Sequence, residues 1–243
     1  MTIPNDAVRL PVADGSMLTA HVARPATVPA ATGVIVAHEL FGVNPDIQGV
    51  LRDLAAAGYL AIAPEFYHRD APPGHWLERD DEGRSEGFKL LHGLSRQQAL
   101  DDVAACIAWL RAQWAIERVA MIGFSAGGHL AYLAASQLPL SGTAVLYGGW
   151  LPSTEIPLGQ PSPTLDLTPE ITGRLLYVVG EDDALINAAE RAYIRDALRA
   201  AGVDHEFAVY PGTGHAFFWP GTPAFNRAAR DDAWSRVLAL LAR

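Results

Sequence analysis

The stretch VAMIGFSAGGHLAYLAAS, residues 119–136, decides how the fold is read. It opens as an apolar run of strand type, turns through G-F-S-A-G-G, and continues as an apolar segment of helical character. Ser125 therefore stands between a strand and a helix, with Gly123 two residues before it and Gly127 two after. Strand, G-x-S-x-G and helix together make a nucleophile elbow, a sharp turn that lifts a serine hydroxyl above a sheet. Glycines at those positions let neighbouring backbone pass where a Cβ would collide. The turn also puts the Ala126 N–H at a helix start, where partial positive charge favours an oxyanion. Gly128 adds a small residue where helix and strand approach. The competing reading is a polar residue in a glycine-rich turn, since a chance G-x-S-x-G arises in about one chain in ten at this glycine content. Placement between a β-run and an apolar-periodic segment favours the nucleophile.

A serine hydroxyl is a weak nucleophile at neutral pH and needs a base, itself oriented by a carboxylate. On such a scaffold the chain order is serine, then acid, then histidine, each beyond a later strand. LLYVVGEDDALIN (175–187) supplies Asp182 and Asp183 directly after a strand, and FAVYPGTGHAFFWP (207–220) supplies His215 in a glycine-bearing loop. Asp183 has a plainer alternative as a cap for the helix near residue 187, and His215 as a solvated loop histidine. The joint order argues for a triad.

Outward from these motifs, short apolar runs alternate with amphipathic segments, the signature of a mostly parallel sheet flanked by helices. VRLPVADGSMLTAHVARP (8–25) reads as two strands around an Asp14-Gly15-Ser16 turn. GVIVAH (33–38) reads as a strand buried on both faces. A helix within 44–59 ends at Gly58, followed by a strand in 60–66. Residues 67–94 lack clean periodicity and hold two prolines and four glycines, so they read as a long loop forming a binding wall. Ser95 with Gln98 makes a capping box for a helix running to about Trp114. Strands over 142–148, 174–180 and 205–211 follow, with a proline-rich loop at 149–170, a helix over 187–201 and a last helix from about Pro223. Alternation resumes unchanged after the proline-rich loop, so residues 1–243 read as one domain.

Composition narrows the function classes. Half of the 243 residues are hydrophobic, and the net charge of −9 is spread along the chain, which argues against a nucleic-acid surface. The single cysteine, Cys106, lies in a helical pattern and reads as a small core residue. No leader pattern opens the chain and no apolar run approaches the length of a membrane span, so a cytoplasmic protein is expected. The histidines form no ligand cluster, H-E-x-x-H and P-loop patterns are absent, and neither a metal nor a cofactor is expected.

Four segments in register resemble the dienelactone hydrolase family of α/β-hydrolases: HELFGVNPDIQGVLRDLAAAGYLAIAPEFYHR (38–69), GFSAGG (123–128), GEDDALI (180–186) and YPGTGHAFF (210–218). The resemblance covers residue 8 to the C-terminus. It implies an α/β-hydrolase fold with a mostly parallel central sheet, helices on both faces and no large cap domain. It implies Ser125 as nucleophile, His215 as base and Asp183 as acid, chosen over Asp182 by register alone. It also implies an oxyanion hole from the Leu40 and Ala126 N–H groups, an active-site Glu39, a carboxylate-binding Arg84, and Phe88 where a tyrosine is usual.

Three departures shape the expected specificity. The family's founding members carry cysteine where this chain has Ser125, and a serine depends on the histidine rather than on Glu39. A second carboxylate-binding arginine is replaced by Trp219. The loop after VLYGG carries Trp150 and a distinct proline-rich sequence. Glu39 is then expected to pair with Arg84 or to sit partly protonated, because an unpaired buried carboxylate is costly. Phe217, Trp219 and Trp150 make the pocket apolar and aromatic, unless Trp219 points away and only fills space. The expected activity is hydrolysis of a small ester or lactone through an acyl-enzyme, by a monomer or homodimer. An acyltransferase or serine peptidase of the same fold and a non-catalytic ligand binder are the alternatives.

Overall fold

The computed structural model describes residues 5–26, 31–114 and 116–243. Residues 1–4, part of the segment read for a leader, lie outside the described residues. Strands β1 (Asn5–Pro11) and β2 (Met17–Ala23) form the expected antiparallel hairpin. Its turn is closed by Asp14 Oδ1, which accepts from Ser16 N at 2.9 Å. β3 (Thr32–Ala37) leads to α1 (Pro45–Ala56), whose Asn44 cap accepts from Ile47 N at 3.1 Å. The chain leaves α1 through Gly58 at φ +95°, the left-handed conformation that glycine supplies at a helix end. β4 (Leu60–Pro64) follows.

Residues 67–94 do not form one long loop. They contain a 13-residue helix, α2 (Asp81–Gly93), capped by Asp80, whose side chain accepts from Gly83 N at 2.7 Å. Two of the four glycines that suggested a loop are packing positions on this helix: a Cβ on Gly83 would lie 2.0 Å from Glu78 O, and one on Gly87 2.7 Å from Leu40 O. The helix therefore rests against the loop after β3, at close range only glycine permits. The Ser95–Gln98 capping box opens α3 (Arg96–Trp114), with Ser95 N donating to Gln98 Oε1 at 3.0 Å and Gln98 N to Ser95 Oγ at 3.3 Å.

β5 (Arg118–Phe124), α4 (Ala126–Gln137) and β6 (Gly142–Leu146) come next. The proline-rich segment carries two short 3₁₀ turns, Pro157–Gly159 and Thr164–Glu170. Arg96 ties it down through Leu158 O and Ser162 O, and His129 of α4 through Thr164 Oγ1. It packs into the core rather than marking a boundary: Ile156, Leu158 and Leu165 are buried. β7 (Arg174–Gly180), α5 (Ala188–Ala200) and β8 (His205–Tyr210) complete the sheet. The last helix, α6 (Arg227–Leu241), starts four residues later than expected, directly after Asn226, whose side chain caps it by accepting from Ala229 N.

Among the described residues, eight strands lie in the order β1-β2-β4-β3-β5-β6-β7-β8. β3 through β8 are mutually parallel, and β2 runs antiparallel to both its neighbours. Side chains alternate between two cores. Ala120, Ile122 and Phe124 of β5 join α1 and α6 on one face, while Val119 and Met121 join α3 and α4 on the other. Both faces are thus dry, which is why the strands read as continuous apolar runs. From β3 the chain crosses to β4 on one side, and from β5 it crosses to β6 on the other. The crevice beyond the ends of β3 and β5 is therefore the topological switch point, the usual ligand site of such sheets.

Candidate active site

Ser125 occupies the turn between β5 and α4 at φ +52°, ψ −115°, a conformation costly for a non-glycine residue and sustained only by tight surroundings. Those surroundings explain the glycines. A Cβ on Gly123 would lie 1.9 Å from Gly127 O, and one on Gly127 would lie 2.4 Å from both Ala37 O and His38 O. Gly127 thus lets α4 press against the end of β3, and Gly128 does the same toward Gly148, whose Cα is 2.9 Å from the position of its missing Cβ. Among the described residues, the other non-glycine residues with positive φ are Tyr147, Trp150 and Ala216. Tyr147 packs on His215, and Ala216 follows it in the chain, so three of the four strained residues surround one histidine.

Ser125 Oγ lies 2.9 Å from His215 Nε2, and His215 Nδ1 lies 2.8 Å from Asp183 Oδ2. A carboxylate only accepts, so the Nδ1 atom carries the hydrogen and Nε2 is left to accept from the serine hydroxyl. Asp183 is buried, and its Oδ1 accepts from Leu185 N at 2.9 Å and Ile186 N at 3.1 Å. Its neighbour Asp182 is exposed. Geometry thereby separates the two acids, which sequence order alone left open. The helix-capping alternative for Asp183 does not hold either, since Asn187 caps α5 through Ala189 N and Glu190 N. The Leu40 and Ala126 N–H groups make no hydrogen bond within the described residues, and both residues are buried.

Glu39 is buried beside this centre, and its partner differs from the expected one. Arg84 lies exposed on α2. Arg79 takes its place: Nη2 reaches Glu39 Oε2 at 3.2 Å while Nη1 bonds Asp46. The guanidinium also lies over the Trp219 ring at 5.0 Å and the Phe41 ring at 5.6 Å. Burial works against the charged Arg79, and the two carboxylates outweigh it, so the cation is held firmly. Arg79 carried no motif. The available signal was charge balance, because a buried carboxylate needs a cation, and the 67–80 segment offers only Arg69 and Arg79. Arg69 is engaged with Asp14 and Asp102.

The aromatic residues divide by depth. Trp219 is buried against Phe124 at 4.7 Å between ring centroids, and Phe217 against Tyr147 at 5.3 Å. Trp219 is thus both a core residue and the platform for Arg79. Phe88 and Trp150 are half-buried and meet edge to face at 6.3 Å. Tyr147, missed in the sequence, is fully buried, and its hydroxyl faces Glu39 and the Trp219 indole without hydrogen-bond geometry to either. Burial, with the Glu39 charge adding to it, pushes that phenol well above its ordinary value. Cys106 is buried in α3, and burial holds its thiol far above the usual range. Among the described residues no group of three His, Cys, Asp or Glu side chains is placed to hold a metal ion, and no helix is long and apolar enough to cross a membrane.

Comparison with known proteins agrees with this architecture. Residues 18–243 match the model of the dienelactone hydrolase family. A Synechocystis sp. protein named "Putative carboxymethylenebutenolidase" is 35% identical over 242 residues, spanning 99% of this chain and 94% of its own. The crystal structure of a Klebsiella pneumoniae protein, named "Putative Dienelactone Hydrolase", superposes with a TM-score of 0.88 at 30% identity over 100% of both chains. A dienelactone hydrolase-like promiscuous phosphotriesterase from metagenomic libraries shares the fold, with a TM-score of 0.78 at 24% identity over 98% of each chain.

Proposed function

Because the chain belongs to the dienelactone hydrolase family, we propose that this single-domain protein hydrolyses a small carboxylic ester or lactone through Ser125, His215 and Asp183. The observation that carries the proposal is the unbroken contact chain from Ser125 Oγ through both nitrogens of His215 to Asp183. His215 Nε2 takes the hydroxyl proton as Ser125 attacks the carbonyl carbon. Asp183 holds the ring in the tautomer this requires and stabilises the imidazolium that forms. The Leu40 and Ala126 N–H groups, with no competing acceptor, receive the tetrahedral oxyanion. The imidazolium then protonates the leaving oxygen, and water, deprotonated by His215, releases the acyl group from the serine.

Glu39 is not the activator in this scheme. Its charge is spent on Arg79, and the serine has its base in His215. The same ion pair bears on substrate choice. Arg79 is neutralised by Glu39 and Asp46, and Arg84 stands exposed on α2, so among the described residues the buried part of the site presents no unpaired arginine to a substrate carboxylate. Neutral esters and lactones are therefore the favoured class. The test compares kcat/KM for an anionic lactone and a neutral aryl ester. A higher value for the neutral ester is expected, and a strong preference for the anionic lactone would overturn the assignment.

A further inference from the structure

His38 stands between β3 and Glu39 and takes no part in the triad or the ion pair. The residue is 3% exposed, with its Nδ1 2.6 Å from the Glu39 carbonyl oxygen. A carbonyl only accepts, so Nδ1 carries the hydrogen and Nε2 is left as an acceptor. That Nε2 is buried without a partner. The ring is wedged against Phe66 and Tyr67, at 5.5 and 4.9 Å between centroids, and burial lowers its pKa to about 4. It is therefore a neutral hydrogen-bond donor at neutral pH, and it is poorly placed to exchange protons.

The acceptor it chose matters. The Glu39 carbonyl and the Leu40 N–H are the two ends of one planar peptide unit. Fixing the oxygen fixes where the N–H points, and a hydrogen bond at the oxygen polarises the N–H at the other end. Neighbouring parts of this loop are held by other means. Phe41 O accepts from Leu77 N at 2.9 Å, Gly42 bridges to Trp76, and Leu40 O abuts Gly87. Among the described residues, the 39–40 peptide itself receives only the hydrogen bond from His38.

We propose that His38 is a positioning residue for the oxyanion hole, orienting and polarising the Glu39–Leu40 peptide whose N–H receives the oxyanion. This rests on reading the Leu40 N–H as an oxyanion donor. A residue acting in this way affects the transition state more than substrate binding. Its ceiling is the loss of one oxyanion donor, about a hundred- to a thousand-fold in rate.

The test uses His38→Leu and His38→Asn in the full chain, with p-nitrophenyl acetate as substrate and phenylboronic acid as a tetrahedral probe. His38→Leu is expected to lower kcat by about ten- to a hundred-fold with KM within about threefold, and to weaken phenylboronic acid by a comparable factor. His38→Asn, whose amide nitrogen sits near the place of Nδ1, is expected to return kcat to within about threefold of wild type. If His38→Leu fails to fold, His38→Asn is compared with His38→Gln, whose amide reaches the Nε2 position. Asn is then expected to be at least about tenfold more active. The proposal is overturned by a leucine variant that keeps kcat within about twofold, by a raised KM at unchanged kcat, or by an asparagine variant no better than leucine or glutamine. Undiminished hydrolysis by Ser125→Ala would instead overturn the underlying catalytic reading, a separate result.

Discussion

Replacing Asp183 by asparagine changes one atom and inverts the logic of His215. In the native site Asp183 accepts three hydrogen bonds, from Leu185 N, Ile186 N and His215 Nδ1. An asparagine keeps the two backbone bonds only by turning its oxygen toward them, which aims its NH₂ group at His215. Two donors cannot face each other, so the ring hydrogen moves from Nδ1 to Nε2. Nε2 then meets the Ser125 hydroxyl as a donor and cannot take its proton. A wrong tautomer in a preserved geometry lowers kcat by about 10⁴. Stability changes far less, because the exchange costs one charge-assisted hydrogen bond, about 1.5–3 kcal/mol at most. Steady-state hydrolysis of a neutral aryl ester and urea unfolding would be measured on Asp183→Asn and on its exposed neighbour Asp182→Asn. The account requires a loss of about four orders of magnitude for the first and near wild-type activity for the second. Asp183→Asn retaining a tenth of wild-type kcat, or equal losses in the two variants, would refute the tautomer argument.

Gly127→Ala would place a Cβ 2.4 Å from the Ala37 and His38 carbonyl oxygens. It is expected to destabilise the fold by about 1–3 kcal/mol or more and to displace the elbow; unchanged melting temperature and kcat would contradict the packing described. His38 and His129 are both buried with pKa lowered to about 4 from 6.5, first by burial. A histidine lowered in the folded state contributes stability above its unfolded pKa, and that contribution is lost as pH falls from about 6.5 toward 4. Each ring then removes about 1.4 kcal/mol per pH unit. Urea unfolding between pH 6.5 and 5 should show His129→Asn with a slope shallower by about that amount, and identical slopes would argue against a neutral buried His129.

The sheet, the sharp turn at Ser125 and the loop positions that bring His215 and Asp183 to it were legible because each rests on a local pattern: apolar runs buried on both faces, glycines flanking a serine, loop residues after strands. The α2 helix was not legible, since Gly83 and Gly87 there serve close approach to the Glu78 and Leu40 carbonyls and break the apolar period that marks a helix. Arg79 was hidden for a related reason. Its partners Glu39 and Asp46 are distant in sequence and meet it only through the fold, whereas Arg84 sat where the family resemblance pointed. Likewise Tyr147 and Trp150 carry positive φ without any residue type that advertises it. Asp183 and Asp182 are chemically identical in sequence, and only the fold distinguishes them, by burying Asp183 and bringing it against His215 Nδ1.

The central claim is that Ser125 is the nucleophile, and covalent trapping tests it most directly. Treating the native protein with a fluorophosphonate and mapping the adduct by peptide mass spectrometry should show one phosphonyl group on the peptide containing Ser125. Loss of hydrolysis should track labelling, and Ser125→Ala should take up no label. Inactivation with the label on another residue, such as Cys106, or full hydrolysis by Ser125→Ala would contradict the account.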